Sequence, residues 1–509
     1  MNEAGPITLH PADTVAILAS KAAKGSDPLD TGNPLPVAVA GGHKIARAAH
    51  RVGDSIVKYG QIIGTATKVI APGDHVHTHN CAFSAHDQDY RIGVDLDAAR
   101  AAIPETIPRT FMGYRRENGQ VGTRNYIALC ATVNCSATVI RRAALELETS
   151  GALEPYDNVD GVVAFAHGTG CGMAASGRGF EMLQRVLWGH ATHPNVGAAV
   201  FVGLGCETMQ VARMKAVYGD DRADRFHGLT IQDTGGTRAT IEAIKAMVME
   251  LLPEVNQVTR SPCPASDLKV ALQCGGSDGY SGITANPALG AASDLLVALG
   301  GTAILAETPE IYGAEQLLLR RAVSNDVAQK LIGQIRWWER YTEMNDGSMD
   351  NNPSPGNKAG GLTTILEKSL GAAAKGGATP LAAVYDYAEQ VNTPGFVFMD
   401  TPGYDPVSVT GQIAGGAQVT VFTTGRGSAF GSKPAPTLKL ATNDALYAAM
   451  PDDMDINCGD ILSKGVPVAD KGAEILDRLL TLASGEKSKS ELLGLGDHEF
   501  VPWQVGAVM

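Results

Sequence analysis

Leu268-Lys-Val-Ala-Leu272 runs straight into Gln273-Cys274-Gly-Gly-Ser-Asp278-Gly279, an apolar run followed by a glycine-rich loop of reactive side chains, and this unit decides the fold. The same design recurs on both sides of it. Upstream, Tyr126 to Val133 leads to Asn134-Cys135-Ser136, Gly161 to Ala166 to His167-Gly-Thr-Gly-Cys171, and Ala198 to Val202 to Gly203-Leu-Gly-Cys206-Glu207. Downstream, Thr302 to Leu305 leads to Ala306-Glu307-Thr-Pro-Glu310, Phe396 to Phe398 to Met399-Asp400-Thr-Pro-Gly403, and Val419 to Phe422 to Thr423-Thr-Gly-Arg426. These runs are nearly uniformly apolar rather than alternating, the pattern of strands buried on both faces. Helical stretches between them, such as Arg238 to Leu252 and Glu315 to Tyr341, supply crossovers. The expected class is therefore α/β with parallel sheets. In such sheets ligands bind beyond the carboxyl ends of the strands, which is where the polar loops fall.

The outer segments differ. Residues 1–81 read as a small β-rich unit of short apolar stretches between Gly and Pro turns, and 82–112 as a polar linker. Beyond it the chain divides into α/β units over 113–260 and 261–509. The whole chain has 509 residues, 44% hydrophobic and 19% charged, with a net charge of −13. That balance excludes a largely disordered chain and argues against nucleic acid or an anionic membrane as the main partner, since both need a basic face. No apolar run is long enough for a bilayer span, and the first residues lack a signal pattern, so a cytoplasmic protein is expected. The eight cysteines form no dense framework and read as thiols or metal ligands rather than disulfides.

Cys135, Cys171 and Cys206 each follow a strand in successive units, and Cys274 does so in a fourth. Converging thiolates suit iron, zinc or an iron–sulfur cluster, whereas a lone Cys is commonly a small core hydrophobe. His167, in the Cys171 loop, offers a base, a metal ligand or a backbone hydrogen bond. His75-Val-His77-Thr-His79 at spacing two on an extended strand would present three imidazoles on one face, a metal clamp or an exposed domain end. His43-Lys44 and Lys58 supply cations in the same unit. Asn352-Pro-Ser354-Pro-Gly-Asn357-Lys358 is a rigid turn bearing amide, hydroxyl and ammonium groups. With Arg426 it offers donors for a carboxylate. Asp278, Glu307 and Glu310 fit a hard cation, a base or a helix cap. Neither a GxGxxG nor a phosphate-loop pattern occurs, which disfavours a nucleotide enzyme.

Taken in order, His43-Lys44, Lys58-Tyr59-Gly60, Gly113-Tyr-Arg, Val121-Gly-Thr-Arg-Asn125, Gly170-Cys171, Gly203-Leu-Gly-Cys-Glu207, Cys274-Gly-Gly-Ser-Asp278, Gly282-Ile-Thr-Ala-Asn-Pro287, Asn352 to Lys358 and Thr423-Thr-Gly-Arg-Gly427 resemble the altronate/galactarate dehydratase family of sugar-acid dehydratases. The resemblance runs from about residue 12 to the C-terminus. It implies a β-clip (SAF-type) N-terminal domain, a linker and a Rossmann-like catalytic region, assembled as a homodimer. It also implies an iron-dependent enzyme, with Fe2+ or an iron–sulfur cluster, or Mn2+ or another divalent ion in its place. His75-Val-His77-Thr-His79-Asn80 and Pro309-Glu310-Ile-Tyr-Gly-Ala-Glu315 look like the altronate branch. The expected reaction is D-altronate to 2-keto-3-deoxy-D-gluconate plus water, with galactarate or another aldonate or aldarate as the alternative and a non-catalytic sugar-acid binder as the other class. On this reading Cys135, Cys171, Cys206, His75 and His77 hold the metal. His167, Lys358 and Glu310 carry the chemistry. His43, Lys44, Arg426, Ser354, Asn357 and Asp278 bind the substrate.

Overall fold

The computed structural model describes residues 5–84, 90–218, 226–506 and 508. Every apolar run singled out in the α/β units is a strand. Four of them build the two sheets' centres: Tyr126–Ala131 and Val196–Gly203 in one, Lys269–Cys274 and Val419–Thr424 in the other, all buried along nearly their whole length. Burial on both faces is what a near-continuous apolar sequence requires.

The middle unit holds a four-stranded parallel sheet in the order Gly161–Phe165, Tyr126–Ala131, Val196–Gly203, Phe226–Thr230. Helices Asn134–Thr149 and Thr237–Val255 cover one face and Arg178–Ala191 the other, each with its own apolar core. The C-terminal unit holds a seven-stranded parallel sheet. Its order is Leu381–Tyr385, Gly395–Met399, Thr302–Leu305, Lys269–Cys274, Val419–Thr424, Thr437–Ala441, Ile456–Asn457. From Lys269–Cys274 the chain adds Thr302–Leu305, then the edge strand Leu381–Tyr385, then Gly395–Met399 between those two, and returns to lay Val419–Thr424 on the other side of Lys269–Cys274. The reversal makes a topological switch point, and the loops after these two strands open onto it.

The N-terminal domain consists of two small three-stranded antiparallel sheets. Its apolar residues Val15, Ile56 and Ile63 share a continuous core with Val270, Leu305 and Leu370 of the C-terminal unit, so the domain is docked rather than tethered.

Three local expectations change. The three-His strand extends only over His75–Val76. Asn80 accepts from the His77 N–H and donates to the His75 carbonyl, which folds the chain into a turn. The helix expected from Glu315 to Tyr341 is broken. Ala322 bridges to Leu381 and Ser324 caps a new helix over Asn325–Met344. The linker is partly ordered: it contains the helix Leu96–Ala101, and strand Thr110–Arg115 crosses its far boundary to pair with Arg260–Pro264.

Candidate active site

The loop Cys274–Gly279, leaving the central strand at the switch point, is the hub. The Asn352–Lys358 turn lies on it through Asn357, whose amide donates to the Ser277 carbonyl at 2.8 Å. Ser354 caps the short helix Pro355–Ala359 in a reciprocal capping box with Asn357. Both side chains are thereby committed to shaping the turn. Lys358, half-buried, remains on its surface. Asp278 is buried and saturated: it accepts from Ser281, Thr442 and Asn443 side chains and from the backbone of Tyr280 and Ser281. It braces three strand-end loops together. A Cβ on Gly425 would lie 2.1 Å from its carboxyl carbon, so that close approach admits only glycine. Arg426, the next residue, is exposed above the hub, its backbone N–H bound to the Gly276 carbonyl at 2.9 Å.

The N-terminal domain supplies an imidazole rim facing the same turn. His43 reaches the Ala359 carbonyl at 3.3 Å and His77 the Lys358 carbonyl at 2.8 Å. A carbonyl only accepts, so both rings carry their proton on Nε2. Burial holds His43 below its ordinary range, and burial plus the neighbouring imidazoles push His75 down to about 3. Neutral His43 then offers Nδ1 to the His75 Nε2–H, 3.0 Å away, which leaves the lone pair on Nδ1 of His75. Lys44, by contrast, points inward. It is fully buried against Glu367 and the Gly361 carbonyl and presents no ammonium to the rim.

Behind the hub lies a buried charge cluster. Cys274 Sγ stands 3.6 Å from Glu307 and 3.5 Å from Glu310. Lys375 lies 2.8 Å from that sulfur and 2.7 Å from Glu307, while Lys368 lies 2.6 Å from Glu310. Asn352 donates to Glu310 at 2.9 Å. Gln273 bridges Glu307 and Asp405 at 2.7 and 2.9 Å. Burial, against the opposing pull of Lys375, raises Glu307 well above the carboxylate range, and burial lifts Asp405 to about 6. Glu307 also sits in the left-handed region at φ 70°, strain of about 1–3 kcal/mol that the surrounding bonds must hold. Asp405 is the half-buried member of the set and stands at its lip beside exposed Tyr404.

The thiols Cys135, Cys171 and Cys206 occupy a different place. All are exposed, at the carboxyl ends of three adjacent strands of the four-stranded sheet. His167, in the same edge, is buried with both ring nitrogens engaged: Nε2 to the Ala131 carbonyl at 2.8 Å and Nδ1 to the Thr169 N–H at 3.2 Å. Burial pushes it down to about 4. Among the described residues, the group of three metal-ligating side chains whose donor atoms lie within 4.8 Å of one another is Cys274, Glu307 and Glu310, not the three exposed thiols.

Sequence reasoning thus singled out residues of the hub, the turn and the rim but centred the site on Cys135, Cys171, Cys206 and His167, which lie on the other sheet, and it missed Lys368, Lys375, Glu367 and Asp405. Glu367-Lys368 and Lys375 were visible as charges set two helical turns apart in a run of Ser, Leu, Gly and Ala, a place where charge is costly unless paired.

The comparisons cover nearly the whole chain. The family model for the altronate/galactarate dehydratase SAF domain matches residues 4–84, that for the D-galactarate dehydratase/altronate hydrolase second domain 113–256, and that for the D-galactarate/altronate dehydratase C-terminal domain 265–508. An altronate dehydratase of Bacillus subtilis is 37% identical, over 94% of this chain and 95% of its own. An altronate dehydratase of Escherichia coli is 36% identical over 95% and 96%. A galactarate dehydratase (L-threo-forming) of Escherichia coli is 35% identical over 94% and 93%. A SAF domain before two parallel-sheet units, together with relatives named as dehydratases over nearly the whole chain, places it among the carbon–oxygen lyases. The chain belongs to the D-galactarate/altronate dehydratase family of hydro-lyases. No helix among the described residues is long and apolar enough to cross a membrane.

Proposed function

We propose that the chain dehydrates a sugar acid, with D-altronate as substrate and 2-keto-3-deoxy-D-gluconate as product. The observation that carries this reading is the gathering of Arg426, Lys358 and the His43–His75–His77 rim around the Cys274–Gly279 hub, whose Gly275 packs against Asp405 and whose neighbouring turn reaches Glu310 through Asn352. Galactarate is the second reading, favoured by the E. coli galactarate relative's comparable identity.

Abstracting the proton beside a carboxylate creates a dianionic enediolate, so cations must surround that carboxylate before the proton leaves. Arg426 and Lys358 do this at the rim, Arg426 as a bidentate fork. Glu310, oriented by Lys368 and Asn352, takes the proton from the carbon next to the carboxylate. Asp405, protonated more readily than an ordinary carboxyl, gives its proton to the departing β-hydroxyl. A Cβ on Gly403 would lie 3.0 Å from Glu310 Oε1, so the Gly403-Tyr-Asp405 segment lines the same lip as the base. The resulting enol ketonises with a solvent proton.

For a metal, the donor chemistry separates two places. The Cys274–Glu307–Glu310 group does not fit, because Lys375 and Lys368 already supply the counter-charge. The exposed Cys135, Cys171 and Cys206 do fit soft iron chemistry. Iron is the proposed ion, with Mn2+ or another divalent ion as the alternative; Cys135, Cys171 and Cys206 would hold it at the edge of the four-stranded sheet, and the Lewis-acid chemistry it supplies would act there rather than at the Glu310–Asp405 lip. His167 holds the Cys171 loop to strand Tyr126–Ala131 through its two backbone bonds.

A panel of aldonates and aldarates, assayed anaerobically with ferrous iron for 2-keto acid, tests the reading. D-Altronate is expected to turn over fastest; a folded, iron-supplied protein inert towards every member would refute it.

A further inference from the structure

The N-terminal domain is fastened to the C-terminal unit by a buried charge triad. Glu367, on the helix Ile365–Ala373, accepts from Lys44 on one oxygen and from Lys58 on the other, each at 2.8 Å. All three side chains are 0% exposed. The two lysines come from different sheets of the N-terminal domain, Lys44 from strand Lys44–Ala46 and Lys58 from strand Ser55–Lys58. Thr363 completes the carboxylate's shell with its N–H and hydroxyl, at 3.0 and 2.8 Å. Tyr59, directly after Lys58, is held in the left-handed region at φ 60°, a conformation that a bulky residue keeps only where its surroundings fix it.

The next residue on the same helix, Lys368, makes the 2.6 Å bond to Glu310. One turn of helix therefore carries both the fastening of the N-terminal domain and the partner of the proposed base.

We propose that Glu367 is a positioning residue, a clamp that fixes the imidazole rim over the hub and Lys368 on Glu310 in the same act. The proposal rests on reading that rim as the substrate site. Two ammonium groups face one carboxylate, so the triad holds one excess positive charge, eased by the Gly361 carbonyl at 2.6 Å from Lys44. Removing the carboxylate leaves two buried cations with no anion. Removing Lys58 leaves a matched Lys44–Glu367 pair. A buried unpaired charge is costly, whereas trimming to a neutral or paired set is tolerated. Lys58→Met removes one of the two cations that Glu367→Gln strands, so it must relieve part of that damage, an ordering that ordinary packing does not predict.

The test uses four full-length proteins: wild type, E367Q, K58M and E367Q/K58M. Hydrogen exchange is read in strands Lys44–Ala46 and Ser55–Lys58, and kcat and KM are measured with D-altronate. E367Q is expected to exchange about a hundredfold faster in those strands, with KM raised and kcat lowered together. K58M should stay within about threefold of wild type, and the double variant, which strands one buried cation instead of two, should regain part of the protection that E367Q lost. If E367Q cannot be purified, the soluble yield of the double variant decides: recovery supports the clamp, and no recovery overturns it. Unchanged exchange in E367Q, or a double variant no better than E367Q, also overturns it. A wild type inert towards every sugar acid would sink the functional reading, while the exchange arm would still judge the clamp.

Discussion

Asp405→Asn should make the protein more stable and less active at once. Burial is the main reason that Asp405 is lifted from its ordinary carboxyl value to about 6, with Glu310 adding repulsion and Gln273, Lys368 and Lys375 opposing. Taking the unfolded value as about 3.9 and about 1.36 kcal/mol per pH unit, holding this carboxylate ionised in the fold costs about 3 kcal/mol. The sign follows from the direction. A group whose folded pKa is raised contributes its stability below the unfolded value and loses it as pH rises through the folded value, here between about 4 and 6. An asparagine keeps an oxygen for the Gln273 amide at 2.9 Å and never ionises. At pH 8 the variant should therefore be more stable by up to about 3 kcal/mol, or about 6 °C in melting temperature for a domain of this size. Below pH 4 the two proteins should melt alike. Its turnover should fall by about 10²–10⁴, the usual worth of a general acid. Paired melting curves at pH 4 and pH 8, with kcat at about pH 5.5, below the folded value where Asp405 holds its proton, are the assay. Coincident melting at both pH values, or an advantage that grows towards acid, would refute the reasoning about burial. Undiminished kcat would remove Asp405 from the reaction.

Lys375→Met should destabilise the C-terminal unit by about 3–5 kcal/mol, because it strands the fully buried Glu307 without its counter-charge; chemical denaturation followed by tryptophan fluorescence reads this, and a loss below about 1 kcal/mol would show that Gln273 alone satisfies the carboxyl. His167→Ala should cost about 1–3 kcal/mol by leaving backbone groups unpaired, yet lower kcat less than about tenfold; a larger loss in kcat would restore the imidazole to the chemical step. Cys171→Ser combined with Cys206→Ser should abolish bound iron in anaerobically purified protein without unfolding it, as measured by metal analysis and circular dichroism, and unaltered iron content would take those thiols out of the site. Arg426→Ala should raise KM for D-altronate by about tenfold or more, the scale of one charge-assisted bidentate contact, and an unaltered KM would place the carboxylate elsewhere.

Strand positions were legible because parallel strands buried on both faces must be apolar throughout, as Val196–Gly203 and Val419–Thr424 are. The hub was legible too, since a loop leaving such a strand can reach only the carboxyl edge. Sheet membership was not. Cys135, Cys171, Cys206 and Cys274 follow the same local pattern, yet Cys274 belongs to a second sheet and faces lysines rather than its fellow thiols. Nothing local encodes that separation; it depends on where the chain starts its second sheet. Charge roles were hidden for a related reason. Lys44 looks like a surface cation until the docking of two domains buries it on Glu367, more than three hundred residues away in sequence. Asp278 and Asn357 looked like free polar groups, but each is consumed in bracing its own loop. The His75–His79 stretch gathers its rings as alternation suggested, though a turn rather than a strand brings the rings of His77 and His79 to 5.5 and 5.4 Å from that of His75.

The most direct measurement is mass spectrometry of the product formed from D-altronate in D2O with ferrous iron under anaerobic conditions. Abstraction next to the carboxylate followed by hydroxide loss and ketonisation predicts a 2-keto acid lighter by one water and carrying a single solvent deuterium at the carbon beside the new carbonyl. A product with no solvent deuterium there, or recovery of substrate alone from active-site-intact protein, would contradict the account.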